Sequence, residues 1–279
     1  MSGSARRIGV VGYGKLGRHI SNAILNEPSL RQRFELAFVW NKSPESIGPE
    51  IPVELRLQDL DVFAERRPDL IVEVAHPSIT WNYGAQFLRA ADYMIGSPTA
   101  LARAGVEAVM REASGSYGHG LYIPRGALPG LEEVLRMAAG GGLAGASIAM
   151  LKHPSSLNYH GELEPPLDQT IGRREIYSGP LRELCALAPN NVNTMAVLAM
   201  ASELGFDQVE ARLVADPSLE HHVTEVSLLG PESAGPRYSL KLVRSSPAAI
   251  GAVSSTATLD TFLSSALAAR DRGQGVHFC

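Results

Sequence analysis

The chain has 279 residues, 45% hydrophobic and 19% charged, with a formal net charge of −4, values that suit a globular protein with room for two cores and exclude a disordered chain. The acidic balance offers no basic surface for nucleic acid, and no apolar run approaches the length needed to span a membrane. The two cysteines, Cys185 and Cys279, have neither disulfide-framework nor zinc-ligand spacing, and a glycine-rich turn arrives too early to leave room for a signal peptide. A cytoplasmic, metal-free protein with a small-molecule partner is expected.

In chain order, the first predicted strand, 7–12, runs directly into Gly12-Tyr13-Gly14-Lys15-Leu16-Gly17, which opens a helix over 15–27. In this G-x-G-x-x-G pattern the first glycine permits the tight turn, the second lets a pyrophosphate approach the backbone, and the third lets helix and strand pack closely. The helix start then offers unsatisfied N–H groups and a positive dipole end to phosphate. The segment reads as a dinucleotide site because a second strand, 35–40, follows at βαβ spacing. That strand ends in Asn41-Lys42-Ser43, where an Asp or Glu is usual. Asn41 removes a charge that would repel a 2′-phosphate and Lys42 can pair with one, so NAD or NADP is the expected cofactor.

Further strands are predicted at 69–75, 92–96 and 120–123, alternating with helices at 81–90 and 100–113. The 69–75 run is apolar almost throughout, as a central strand buried on both faces should be, and stops at His76-Pro77. Ligands of open α/β sheets bind outside the carboxyl ends of the strands, which nominates Ala75, His76, Ser97 and the Arg125–Ala127 turn. A histidine before proline equally suits a hydrogen-bonded structural role.

A helix at 131–138 precedes Gly140-Gly141-Gly142, the predicted boundary. Residues 1–140 are then the nucleotide-binding domain and 141–250 the substrate and dimerisation domain, with 251–279, helical over 256–270, returning to the first. The second domain is expected to hold strands at 146–151, 208–215, 222–229 and 237–243, a surface loop at 155–173, and a helix at 191–203 capped by Asn191 or Asn193 with Met195, Leu198 and Ala199 on one face. The expected fold is α/β: an N-terminal Rossmann doubly wound parallel sheet with a second, smaller mixed-sheet domain.

Several segments together resemble the L-aspartate dehydrogenases: the glycine turn, Glu73-Val74-Ala75-His76-Pro77, Gly96-Ser97-Pro98-Thr99-Ala100-Leu101, Pro124-Arg125-Gly126-Ala127-Leu128-Pro129-Gly130-Leu131, Pro189-Asn190-Asn191-Val192-Asn193 and Ala215-Asp216-Pro217. The resemblance implies NAD(P)-dependent conversion of L-aspartate to iminoaspartate, which hydrolyses to oxaloacetate and ammonia or feeds pyridine nucleotide biosynthesis. It also implies a homodimer formed through the C-terminal domain, and nicotinamide-side contacts at Ala127 and Asn193. The family's catalytic histidine follows the Ala-Asp-Pro segment, and ungapped counting puts Thr224 there. His222, two residues earlier and on the same face of a strand, is nominated for the role, with His221 as fallback.

Aspartate oxidation needs a group that exchanges a proton near neutral pH, which suits histidine, and cations for two carboxylates. The basic pair Lys152-His153 at a strand end supplies candidates, Asn191 is a further substrate candidate, and Arg125, Arg173 and Arg174 are rivals. Two alternatives stand beside this reading: a related amino-acid or imino-acid oxidoreductase, and a nucleotide sensor that has lost its chemistry. The sugar oxidoreductases of similar plan usually carry Glu-Lys-Pro after the fourth strand, where this chain has Gly96-Ser97-Pro98.

Overall fold

A computed structural model describes residues 5–232, 236–254 and 256–279. The chain divides into two compact units, one holding the chain up to Ala100 with Ala104–Pro124 and Leu263–Cys279, the other Leu101–Arg103 and Arg125–Phe262. The division at Pro124 precedes the glycine triplet, so the helix predicted at 131–138 belongs to the second unit, and the return to the first occurs within the last helix.

The first unit contains β1 (Arg6–Val11), α1 (Lys15–Asn26), the one-turn α2 (Pro28–Arg31), β2 (Phe34–Trp40), β3 (Arg56–Leu57), β4 (Leu70–Glu73), α3 (Pro77–Ala90), β5 (Asp92–Ile95), α4 (Val106–Tyr117), β6 (Gly120–Ile123) and, from the end of the chain, β12 (Gly275–Phe278). Its sheet is parallel throughout, in the order β3-β2-β1-β4-β5-β6-β12. The order reverses between β1 and β4, the topological switch point at which doubly wound sheets bind nucleotides. Every residue of β4 and β6 is buried, as central parallel strands require. The helix predicted over 100–113 is displaced: Pro98–Ala102 forms a 3-10 turn, Gly105 adopts φ +79°, and α4 starts after it. That left-handed residue cannot continue a helix, so it sets the start.

The second unit is a mixed sheet in the order β11-β10-β7-β9-β8, built from β7 (Gly145–Lys152), β8 (Arg174–Pro180), β9 (Val209–Ala215), β10 (His221–Leu229) and β11 (Ser239–Pro247). Only β7 and β9 run parallel. Its helices are α5 (Leu131–Ala139), α6 (Leu181–Leu187), α7 (Asn193–Ala201) and the one-turn α8 (Gly205–Gln208), and α9 (Thr256–Ala268) starts within it. The expected single apolar face of α7 is incorrect, because every residue from Thr194 to Ala201 is buried; a helix apolar all round lies inside the core. Neither asparagine caps it: Val192 is the N-cap, with no side-chain bond, and Asn193 is already the first helical residue.

Candidate functional site

The glycine turn opens where β1 ends. Gly12 has φ +113°, and a Cβ there would come within 2.8 Å of the Ala75 nitrogen and the Val74 carbonyl. Gly17 is more tightly constrained, since its Cβ would lie 2.0 Å from the Gly12 oxygen. Gly14, the N-cap of α1, meets nothing within 4 Å and is exposed. Two glycines are thus demanded by backbone packing and the third leaves bare backbone facing open space. With no side-chain cap on α1, its first-turn N–H groups await an acceptor. These residues fit a diphosphate.

Around this turn the side chains are already engaged. The Tyr13 amide donates to Asn41 Oδ1 at 3.1 Å, while Asn41 Nδ2 donates to Ser46 Oγ at 2.6 Å and to the Ser43 carbonyl at 3.2 Å. Asn41 therefore ties the glycine turn to the loop after β2, and the exposed Lys42 and Lys15 are the side chains that project into solvent. Tyr13 is buried, and its hydroxyl donates to Glu50 at 2.5 Å while the Arg18 guanidinium lies over its ring. Burial, reinforced by the Glu50 bond, holds the phenol well above its ordinary range, and the same bond holds the Glu50 carboxyl low.

At the end of β4 stands Glu73, fully buried and given no role from sequence. Its Oε1 accepts from the Ala75 amide at 2.7 Å, the His76 amide at 2.9 Å and Ser97 Oγ at 3.1 Å, and its Oε2 from the Ser97 amide at 2.9 Å. Three nominated residues, Ala75, His76 and Ser97, thus meet at one carboxylate. The His76 side chain caps α3, its Nδ1 accepting from the Ser78 amide at 3.2 Å. That is the hydrogen-bonded structural role the His-Pro pattern also suited. Burial pushes the Glu73 carboxyl up to about 7 against the lowering pull of its four donors.

In the second unit, Lys152 ends β7 with only 2% of its surface exposed, its Nζ donating to the carbonyls of Asn191 at 3.3 Å and Val253 at 3.2 Å. Burial lowers its ammonium to about 8. The antiparallel β10–β7 ladder ends at the pair Val223 and Leu151, the chain neighbours of His222 and Lys152, and His222 lies close enough to Lys152 to feel its charge. His222 is 8% exposed, its Nε2 is buried with no hydrogen-bond partner among the described residues, and burial followed by the Lys152 charge pushes it down to about 4. Thr224 lies on the same buried face of β10, whereas His221 is exposed. Asn191 is buried with both ends of its carboxamide used, Oδ1 accepting from the Asn158 amide at 2.7 Å and Nδ2 donating to the Ser156 carbonyl at 2.8 Å. His153, half-buried, caps the 3-10 turn that follows, with Nδ1 accepting from the Ser155 amide at 3.2 Å. Ala127 and Asn193 are both partly exposed, and the turn carrying Ala127 adjoins the start of α7, since a Cβ on Gly126 would sit 3.7 Å from Thr194 Oγ1. Among the described residues, no group of three or more His, Cys, Asp or Glu is placed to hold a metal, and no helix is long and apolar enough to cross a membrane.

Residues 12–124 match the family model described as "Homoserine dehydrogenase, NAD binding domain" and residues 133–265 the one described as "Aspartate dehydrogenase, C-terminal". An aspartate dehydrogenase domain-containing protein of Xenopus tropicalis is 44% identical over 98% of this chain and 98% of its own length. An L-aspartate dehydrogenase of Methanococcoides burtonii is 28% identical over 80% of this chain and 83% of its own. The crystal structure of the Thermotoga maritima aspartate dehydrogenase superposes with a TM-score of 0.69 at 21% identity, covering 96% of this chain and 97% of that one, a likeness of fold. With near-complete coverage at that first level of identity, the chain belongs to the aspartate dehydrogenase family, with an NAD-binding domain ahead of the family's C-terminal domain.

Proposed function

We propose that the protein is an NAD(P)-dependent L-aspartate dehydrogenase, converting L-aspartate to iminoaspartate, which hydrolyses to oxaloacetate and ammonia. The observation that carries this reading is the buried pair Lys152 and His222, at neighbouring ends of β7 and β10 and close enough for the Lys152 charge to act on the imidazole, in a chain of this family. A buried ammonium that among the described residues bonds two carbonyl oxygens and no carboxylate is a costly group. A substrate carboxylate would complete it.

In this reading Lys152, cationic below its lowered value of about 8, is the counter-charge for a substrate carboxylate. Asn191 supports it by orienting the carbonyl that Lys152 binds and by anchoring the 156–158 segment. His153 contributes its imidazole at the same strand end. His222 is neutral near pH 7, and its unpartnered Nε2 is the atom that takes a proton as the amine becomes an imine; the exposed His221 does not share that buried surface. The nucleotide would be held in the first unit by the first-turn amides at Gly14, Lys15, Leu16 and Gly17 beside Gly12 and Tyr13, and by the ends of β4 and β5 at Ala75, His76 and Ser97; Ala127 and Asn193 are the residues that the family resemblance nominates in the second. The bound nicotinamide supplies the hydride acceptor. Asn41 carries no carboxylate, and exposed Lys42 is free to meet a 2′-phosphate, so either NAD or NADP serves. The active form is a homodimer.

Purified protein should reduce NAD or NADP when given L-aspartate at alkaline pH, and His222→Ala should abolish turnover while leaving nucleotide binding intact. A protein that binds nucleotide but reduces none with any amino acid would instead be a nucleotide sensor.

A further inference from the structure

Glu73 occupies an unusual place for a carboxylate. It is the last residue of β4, in register with Val11 at the end of β1 and Ile95 at the end of β5. Its backbone joins the same three chains: the following amide, Val74 N, donates to the Val11 carbonyl at 2.8 Å, and its own carbonyl accepts from Gly96 N at 2.8 Å. The Val74-Ala75 peptide is in turn the surface that the absent Cβ of Gly12 would strike. The glycine turn, the turn before α3 and the segment after β5 therefore converge on one residue, at the switch point of the sheet.

A core position among three strand ends would be filled at lower cost by an apolar side chain, since an unpaired buried carboxylate is expensive. Among the described residues Glu73 has no cation as a hydrogen-bond partner; it has four donors, three of them main-chain amides belonging to Ala75, His76 and Ser97. Of the titratable groups packed near it, the buried Tyr93 of β5 is held as a neutral phenol by burial and then by the Glu73 charge, and His76 contributes its backbone amide. The carboxylate thus satisfies amides in two loops at once, in the interior, while Ala75 and His76 remain exposed on the outer side of one of those loops.

We propose that Glu73 is a positioning residue for the dinucleotide, its carboxylate locking the turn before α3 and Ser97 against the glycine turn in the arrangement that receives the cofactor, without itself touching the cofactor. This rests on the reading of the first unit as the nucleotide site. Replacement by glutamine keeps the size but turns one acceptor into a donor facing a donor, so one loop loses its anchor. Replacement by aspartate keeps the charge but withdraws it by one methylene.

The test is titration of NADH and NADPH into the full-length wild type, Glu73→Gln and Glu73→Asp, with melting temperature and circular dichroism recorded on the same samples. Both variants should bind whichever nucleotide the wild type prefers about tenfold more weakly or worse, in samples that remain folded. Wild-type affinity should also fall as pH is lowered from 8 to 6 and the carboxylate is protonated, while that of Glu73→Gln stays comparatively flat. Equal affinity in wild type and Glu73→Gln, with the fold retained, overturns the proposal whatever the melting temperatures do. Should Glu73→Gln fail to fold, Glu73→Asp and the wild-type pH profile decide, and undiminished binding by the aspartate variant together with a flat profile overturns it. A wild type that binds neither nucleotide defeats the nucleotide reading of the unit as well, which separates the two failures.

Discussion

The two units carry their candidate sites in opposite ways. In the first, recognition is a property of main chain: Gly12 and Gly17 are fixed by contacts that a Cβ would violate, and Gly14 leaves the start of α1 bare. In the second, the proposed site is a matter of two side chains, Lys152 and His222, placed in a buried sheet face where burial lowers both and the Lys152 charge lowers His222 further. A backbone site is bound to stability, because the same glycines that admit a phosphate let helix and strand approach. A buried charge works against stability, and in the proposed reading it serves the chemistry. Substitutions in the two units should therefore divide their effects differently between folding and activity.

The largest effects fall in the glycine turn. Gly17→Ala forces a methyl onto the Gly12 carbonyl and should destabilise the protein by about 2–4 kcal/mol while removing nucleotide binding. Gly14→Ala, with open space around it, should leave the melting temperature nearly unchanged yet weaken nucleotide by roughly 100-fold, because the methyl occupies the approach of the phosphates. Thermal melts with and without nucleotide separate the two, and equal melting losses in both variants would erase the distinction between packing glycine and binding glycine.

In the second unit the sign should reverse. Lys152→Met should lower turnover by about 10³ while shifting stability by no more than about 1–2 kcal/mol, since relief of a buried ammonium offsets two orphaned carbonyls. The linkage is explicit: a lysine lowered from 10.5 to about 8 on folding leaves the unfolded chain binding more protons between those values, so stability rises with pH across that window. Lys152→Met should flatten that rise. Denaturant midpoints at pH 8 and 10 measure it.

His222 sets the acid side. Its value falls from 6.5 to about 4 on folding, so the neutral imidazole contributes stability above pH 6.5 that is lost as pH drops toward 4. His222→Gln should remove an acid slope of roughly 3 kcal/mol over that range. An unchanged slope in this variant would mean that another group governs the acid transition.

The difference between the units also explains what could be read from sequence. Strand β4 and the glycine turn are local patterns, an apolar run and a three-glycine spacing, whose physical meaning does not depend on distant residues. The missed strands β3, β8 and β12 are short or largely half-exposed, so no periodicity distinguishes them from loop. Lys152 was visible as a cation at a strand end, but its burial arises from carbonyls of Asn191 and Val253, far away in sequence. Asn41 was legible only as a missing charge; that its carboxamide would be spent on the Tyr13 amide and Ser46 follows from loop conformation. Glu73 was hidden by context, since a glutamate inside a run read as one buried strand through 75 gives no sign that the strand ends at it and that both flanking loops fold onto its carboxylate.

The smallest expected effect bears on the choice between NAD and NADP. With Asn41 tied to the glycine turn, selection of the 2′-phosphate passes to the exposed Lys42, a single screened charge on a flexible stem. Lys42→Ala should weaken NADPH by about three- to tenfold and leave NADH almost unaffected, and the difference should shrink in high salt. Asn41→Asp presents a different perturbation, because it introduces a charge but also removes the donor to Ser46 Oγ, so both nucleotides should weaken, NADPH the more. Parallel titrations of the two variants with both nucleotides would show whether cofactor choice is a surface electrostatic matter, as in Lys42→Ala, or is built into the turn. A Lys42→Ala protein that loses NADH and NADPH equally would move specificity back into the backbone site, and the contrast between main-chain and side-chain recognition would then hold even at the ribose.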